Sequence, residues 1–127
     1  MVKDKSVELH GTGLNCAQSV LLSLEQYTGL DKNTAVAACV GLGGGAGCGE
    51  ICGAASGAII ALGLNTSIKG DPPAEAKKKV SEFTKSFKDE FGCIRCKDLK
   101  GGRIACDTLI AFAAETAENI INSDKEY

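Results

Sequence analysis

The sequence predicts an all-α protein, a compact bundle of five to six helices, and three observations carry that expectation. Apolar residues recur at three-and-four spacing in several stretches, capping residues precede and glycines follow those stretches, and no stretch shows the alternation of a strand. The first helix follows Asn15, whose side chain can accept from the opening amides, and carries Ala17, Val20, Leu21, Leu24 and Tyr27 to a stop at Gly29. Asp31 or Asn33 caps the next, from Thr34 to Leu42, and Gly43-Gly44-Gly45 breaks it. A third helix begins near Cys48 and runs to Leu64, and a turn occupies Asn65 to Asp71. Asp71 then caps a helix opened by Pro72 and Pro73, where a missing amide costs least. Its buried stripe is Ala76, Val80, Phe83, Phe87 and Phe91, and Gly92 ends it. After a polar loop at 93–102, Ala105, Leu109, Phe112, Ala113, Thr116 and Ile120 mark a last amphipathic helix ending near Asn122.

With 127 residues, 44% of them hydrophobic and 24% charged, the chain is expected to form one domain, residues 1–127, around one core. A net charge of −2 leaves no electrostatic footprint for nucleic acid. The one basic cluster, Lys77-Lys78-Lys79, precedes Glu82, Asp89 and Glu90 and reads as a solvated helix face. The opening MVKDKSVELH has neither a long apolar run nor a small-residue cleavage site, so a cytoplasmic protein is expected. Between Lys32 and Lys69 only Glu50 is charged, a stretch long enough for a membrane span. Its glycines bury little apolar area, however, and a carboxylate at its centre would be costly in a bilayer. A buried soluble helix is expected instead.

Seven cysteines, Cys16, Cys39, Cys48, Cys52, Cys93, Cys96 and Cys106, cannot all pair within one chain, and in a reducing compartment they point to metal binding or redox chemistry. Cys39, within Ala37-Ala38-Cys39-Val40, reads as a small buried hydrophobe. Gly41, Gly45, Gly49, Gly53 and Gly57 recur every four residues, a bare ridge wherever the backbone is helical. Each helical glycine costs about 0.5–1 kcal/mol relative to alanine, so something must sit against that ridge. Close helix packing accounts for Gly53 and Gly57; Gly43 to Gly47 look like a loop wrapped around a guest. A phosphate loop is excluded by the missing Gly-Lys-Ser/Thr ending and the missing strand.

Cys16, Cys52 and Cys106 fall at or near predicted helix starts, where partial positive charge favours a thiolate or an anionic cluster held by thiolates. Cys93-Ile-Arg-Cys96 adds a two-residue spacing next to Arg95 and near Arg103, cations that either offset a buried negative centre or lie exposed. His10 is the sole histidine, which argues against histidine-ligated zinc and haem, and Lys97 after Cys96 removes the haem attachment signal. An all-thiolate site suits zinc or an iron–sulfur cluster; the single x-x pair and the small-residue surroundings favour iron–sulfur.

The segments NCAQSV at 15–20, CGAASG at 52–57 followed by AIIALGL, FGCIRCKDL at 91–99, and Cys106 together resemble the small redox-active proteins of C_GCAxxG_C_C type, defined by four cysteines and a Cys-Gly-Ala-x-x-Gly motif. The resemblance runs from about residue 10 to 118. Through the related domain of split-Soret cytochromes c it implies a helical fold that holds an iron–sulfur cluster, [2Fe–2S] in type, and can form a homodimer. The matching positions are Cys16, Cys52, Cys96 and Cys106; the haem-binding part of the cytochromes has no counterpart here. Cys39, Cys48 and Cys93 lie outside the pattern, so Cys48 either substitutes for a neighbour or forms a dithiol with Cys93.

Two functions follow. In the first, Cys16, Cys52, Cys96 and Cys106 hold the metal of an electron carrier or sensor, and the amides of Gly49 and Gly53 donate to the cofactor's sulfides. In the second, a thiol–disulfide or sulfur-handling enzyme uses Cys93 and Cys96, or Cys52, as attacking thiolate. Structural zinc is a third reading. The redox partner protein stays unnamed, and the small-residue ridge suits a dimer and an internal helix contact equally.

Overall fold

Asn15 closes both halves of a capping box: its side chain accepts from the Gln18 amide at 2.8 Å, and the Gln18 side chain accepts from the Asn15 amide at 2.9 Å. The helix launched there is the second of eight α-helices in the computed structural model, which describes residues 1–123. In chain order they are α1 Val2–Gly11, α2 Cys16–Ser23, α3 Glu25–Thr28, α4 Lys32–Ala38, α5 Gly53–Ile68, α6 Pro73–Phe91, α7 Cys96–Gly101 and α8 Cys106–Ser123. Among the described residues the only β pairing is an isolated antiparallel bridge between Ile51 and Arg95, so the chain is all-α, and five helices of eight residues or more carry the bundle.

Helix α5 is the centre. Gly53, Ala54, Ala55, Gly57, Ala58, Ala61 and Leu62 are all buried along it, and α2, α6 and α8 pack around it. Glycine allows the closest of these approaches: a Cβ at Gly57 would stand 2.6 Å from the Ala17 carbonyl oxygen and 3.2 Å from Val20 Cβ. On the other side, Phe83 and Phe87 of α6 are fully buried, and Phe87 and Phe91 meet Phe112 of α8 edge-to-face at centroid separations of 6.0 and 5.1 Å. Tyr27 donates to Glu118 at 2.7 Å, and Asn65 donates to the Tyr27 carbonyl at 2.9 Å, joining α3 to α8 and α5.

Several boundaries differ from the sequence expectation, each for a local reason. Helix α1 is additional, because its ten residues carry few apolar side chains and only Val2 and Ser6 are buried; its place comes from packing on α8 and α2. The first expected helix breaks at Leu24 into α2 and α3, with Gly29 left-handed at φ 71° as its stop. Asp31 does cap α4, accepting from the Thr34 amide at 3.1 Å. The helix expected from Cys48 starts only at Gly53. Ala46 and Gly47 at φ 61° and 73° force residues 45–49 into a wide turn, closed by the Glu50 amide on the Gly45 carbonyl at 3.0 Å. Helix α6 is capped by Pro72 rather than Asp71, without a side-chain bond, and of the three lysines read as solvated, Lys79 is buried. Of the five-glycine ridge only Gly53 and Gly57 lie on one helix.

Two glycines of α5 should respond oppositely to the same change. Gly57→Ala drives a methyl into backbone and is expected to destabilise by about 1–3 kcal/mol. Gly63→Ala meets nothing within 4 Å and should stabilise by about 0.5–1 kcal/mol through helix propensity. Urea unfolding of both variants measures the pair.

Candidate functional site

Four short segments converge beside the start of α5. Asn15, besides capping α2, donates to the Cys39 carbonyl at 3.1 Å, fixing the α2 start against the end of α4. Residues 50–52 and 94–96 run antiparallel, with the Cys52 amide on the Ile94 carbonyl at 2.8 Å and the Cys96 amide on the Glu50 carbonyl at 2.6 Å. That pairing sets Cys52 at the N-cap of α5 beside Cys96, the first residue of α7. Cys16 opens α2 and Cys106 opens α8. All four cysteines therefore stand at helix starts, Cys96 included, although the sequence placed it in a loop.

These four, Cys16, Cys52, Cys96 and Cys106, line one cavity of about 190 Å³. That is smaller than the roughly 300–1,000 Å³ of pockets for drug-sized ligands, so a nucleotide or similar organic cofactor is too large. Its remaining wall comes from Asn15, Gly44, Gly53, Ala54 and Leu109, together with two ionisable side chains, His10 and Lys100. Gly53 is indispensable to the shape: a Cβ there would collide with Cys16 Sγ and stand 3.0 Å from the Leu42 carbonyl oxygen. No group of three or more His, Cys, Asp or Glu that could hold a metal ion occurs among the described residues.

Burial pushes the Cys52 thiol up from an ordinary 9.0 to about 11. The amides of Ala55 and Ala54 in the first turn of α5 act against that, and the neighbouring sulfurs of Cys16 and Cys96 add to it. Left alone, Cys52 is thus a protonated, inaccessible thiol at neutral pH.

Of the other expected site residues, Gly49 stands outside the cavity wall. It is left-handed at φ 77°, and a Cβ on it would lie 3.1 Å from Lys97 Cβ; Gly44 lines the cavity in its stead. Cys39 is fully buried, with its thiol pushed up by desolvation, Cys48 is exposed in the glycine turn, and Cys93 is half-buried. None of these three lines the cavity, and all seven cysteines are free thiols. Arg95 is half-exposed and pairs with Glu50 at 3.2 Å and Asp98 at 3.6 Å, and neither it nor Arg103 reaches the wall. Sequence reasoning missed His10, because α1 was not foreseen, and Lys100 and Leu109, which were legible: each follows a wall cysteine by one helical turn, four after Cys96 and three after Cys106.

An all-helical fold that gathers four thiols from distant segments around a small cavity defines a cysteine-based redox protein. The family model described as "Putative redox-active protein (C_GCAxxG_C_C)" matches residues 14–120, and the chain belongs to that family. No curated protein and no solved structure matches the chain. Among the described residues no helix is long and apolar enough to cross a membrane.

The raised Cys52 value has a measurable consequence in the cofactor-free, reduced protein. Between 9.0 and about 11 the folded state binds more protons than the unfolded state, so this contribution to stability is whole below the lower value and is lost as pH rises toward the upper. Urea unfolding at about pH 8 and about pH 10.5 is expected to show an extra loss of roughly 1–2 kcal/mol that Cys52→Ala lacks.

Proposed function

We propose that this protein is a one-electron carrier or redox sensor whose cavity holds an iron–sulfur cluster of [2Fe–2S] type through Cys16, Cys52, Cys96 and Cys106. The observation that carries the reading is the meeting of these four thiols, 90 residues apart at the extremes, around a single space of about 190 Å³. The donor set fits the group: four soft sulfur ligands, no carboxylate in the wall among the described residues, and small residues where the guest would lie. A two-iron cluster divides four thiolates between two irons, which suits sulfurs spread around a cavity better than a single ion would. When bound, the cluster would supply a reversible one-electron couple.

The protein's own contribution is placement and electrostatics. The amides opening α5, Gly53 among them, have no carbonyl partner within their helix and are available to sulfur. Helix starts bearing the thiols favour the ionised form that ligation requires. For Cys52 that help is outweighed by burial, so ligation would have to supply the missing charge, and metal uptake would release the Cys52 proton. The same protonated state weighs against Cys52 as an attacking thiolate. The position of Cys93 outside the cavity gives the dithiol enzyme reading no shared space with the other thiols.

Protein purified or reconstituted without oxygen should be brown, with visible charge-transfer absorption and about two irons and two acid-labile sulfides per cluster. Cys52→Ser and Cys106→Ser should lose most of the iron, whereas Cys39→Ser and Cys48→Ser should keep it. Colourless, iron-free wild-type protein, or full iron in Cys52→Ser, would count against the assignment.

A further inference from the structure

The cavity wall carries positive charge only. Lys100 is its one permanent ion, and among the described residues no carboxylate lines the space. The Lys100 ammonium has no ion-pair partner among those residues, in contrast to Lys3, Lys5, Lys85 and Arg95, each of which faces a carboxylate within 4.0 Å. His10, which also lines the cavity, is engaged through Nδ1 by the Asp107 carboxylate at 2.8 Å. Three helices of eight residues or more, α2, α5 and α8, also begin at the cavity and direct their partial positive ends there. The arginines that sequence reasoning offered for charge balance are elsewhere, so the task falls to a different residue.

We propose that the four-thiol cavity selects anionic occupants and that Lys100 is the residue setting this selectivity. As a deepening of the cofactor reading, on which its redox half rests, the arithmetic is direct. Two ferric ions, two sulfides and four thiolates sum to a dianion, and reduction by one electron makes a trianion. A fixed cation at the wall stabilises the second more than the first, so Lys100 raises the reduction potential. Lys100 lines the cavity and is itself exposed, so it adds positive charge at the wall without a buried ammonium.

The charge selectivity can be read without any cofactor. In the metal-free, reduced, full-length protein, site-resolved mass spectrometry follows alkylation by anionic iodoacetate and by neutral iodoacetamide at the half-exposed cavity thiols Cys16 and Cys106. Cys48, exposed and outside the cavity, is the internal reference. The iodoacetate-to-iodoacetamide rate ratio at the cavity thiols should exceed that at Cys48 by about threefold at low ionic strength and fall with added salt. Lys100→Gln should lower the ratio toward the Cys48 value, and Lys100→Arg should keep it. In iron-loaded protein, Lys100→Gln should disfavour the reduced form about tenfold, a shift of about 59 mV to more negative potential for one electron. An unchanged alkylation ratio or an unchanged potential in Lys100→Gln overturns the inference. If wild-type protein fails to load iron, the cofactor reading falls instead, and the alkylation ratio still decides whether the cavity prefers anions.

Discussion

The Ala17 carbonyl oxygen and Cys16 Sγ occupy the two places where side chains at positions 57 and 53 would begin. Everything about the cavity follows from that contact of α2 with α5. At this approach α5 can carry no β-carbon at positions 53 and 57, where Cys16, Ala17 and Val20 of α2 already fill the space. Their touching puts the first residue of α2 beside the N-cap of α5. The cost is real: two glycines in a helix forfeit about 1–2 kcal/mol of propensity between them. Burial of Ala54, Ala55, Ala58, Ala61 and Leu62 on the remaining faces of α5 offsets it, as does the aromatic cluster that α6 and α8 close over the other end.

From that seam outward, each wall cysteine is held by backbone rather than by its own side chain. The antiparallel pairing of residues 50–52 with 94–96 locks Cys52 and Cys96 together through two main-chain bonds. The capping box at Asn15 fixes Cys16, and α1 ties the start of α8 through the contact of His10 with Asp107 next to Cys106. Thiols positioned in this way keep their sulfurs uncommitted. Burial makes the Cys52 thiol reluctant to ionise, pushing it up to about 11. A multivalent cationic centre reverses that penalty by replacing protons with metal, so the property that makes Cys52 a poor nucleophile makes it a good ligand. Burial thus separates the two chemistries open to a cysteine, and at Cys52 it weighs against attack as a thiolate.

Much of the architecture was legible because the signals were strong and local. Asn15 and Asp31 are read as caps from residue type, Gly29 and Gly92 as stops from their freedom at positive φ, and the phenylalanine stripe of α6 from its period. The four cysteines that meet at the cavity were named through the family resemblance; spacing alone left Cys48 and Cys93 equally open. What escaped depended on tertiary contact. Helix α1 has almost no apolar face and is ordered by α8 and α2. Lys79 lies in a charged run yet is drawn under α6's neighbours, and Ala46 takes a left-handed conformation that no rule for alanine would suggest. Such a conformation costs roughly 1–2 kcal/mol and persists because Gly45, Gly47 and the Glu50 amide close the turn around it.

The glycines deserve a different explanation from the one their density first suggests. Gly43 would meet Asn15 Cβ at 3.0 Å, Gly45 would meet Cys96 Cβ at 2.7 Å, and Gly53 and Gly57 would meet α2. In every one of these cases the space a side chain would take is already filled by a residue that carries or positions a wall thiol. Glycine here draws the thiol-bearing segments together, and packing alone accounts for positions 43, 45, 53 and 57. Glycine density is therefore no independent sign of a guest. The weight of the functional reading shifts to what packing does not require: four sulfurs and, among the described residues, a lysine without an ion-pair partner and no carboxylate around the same small space.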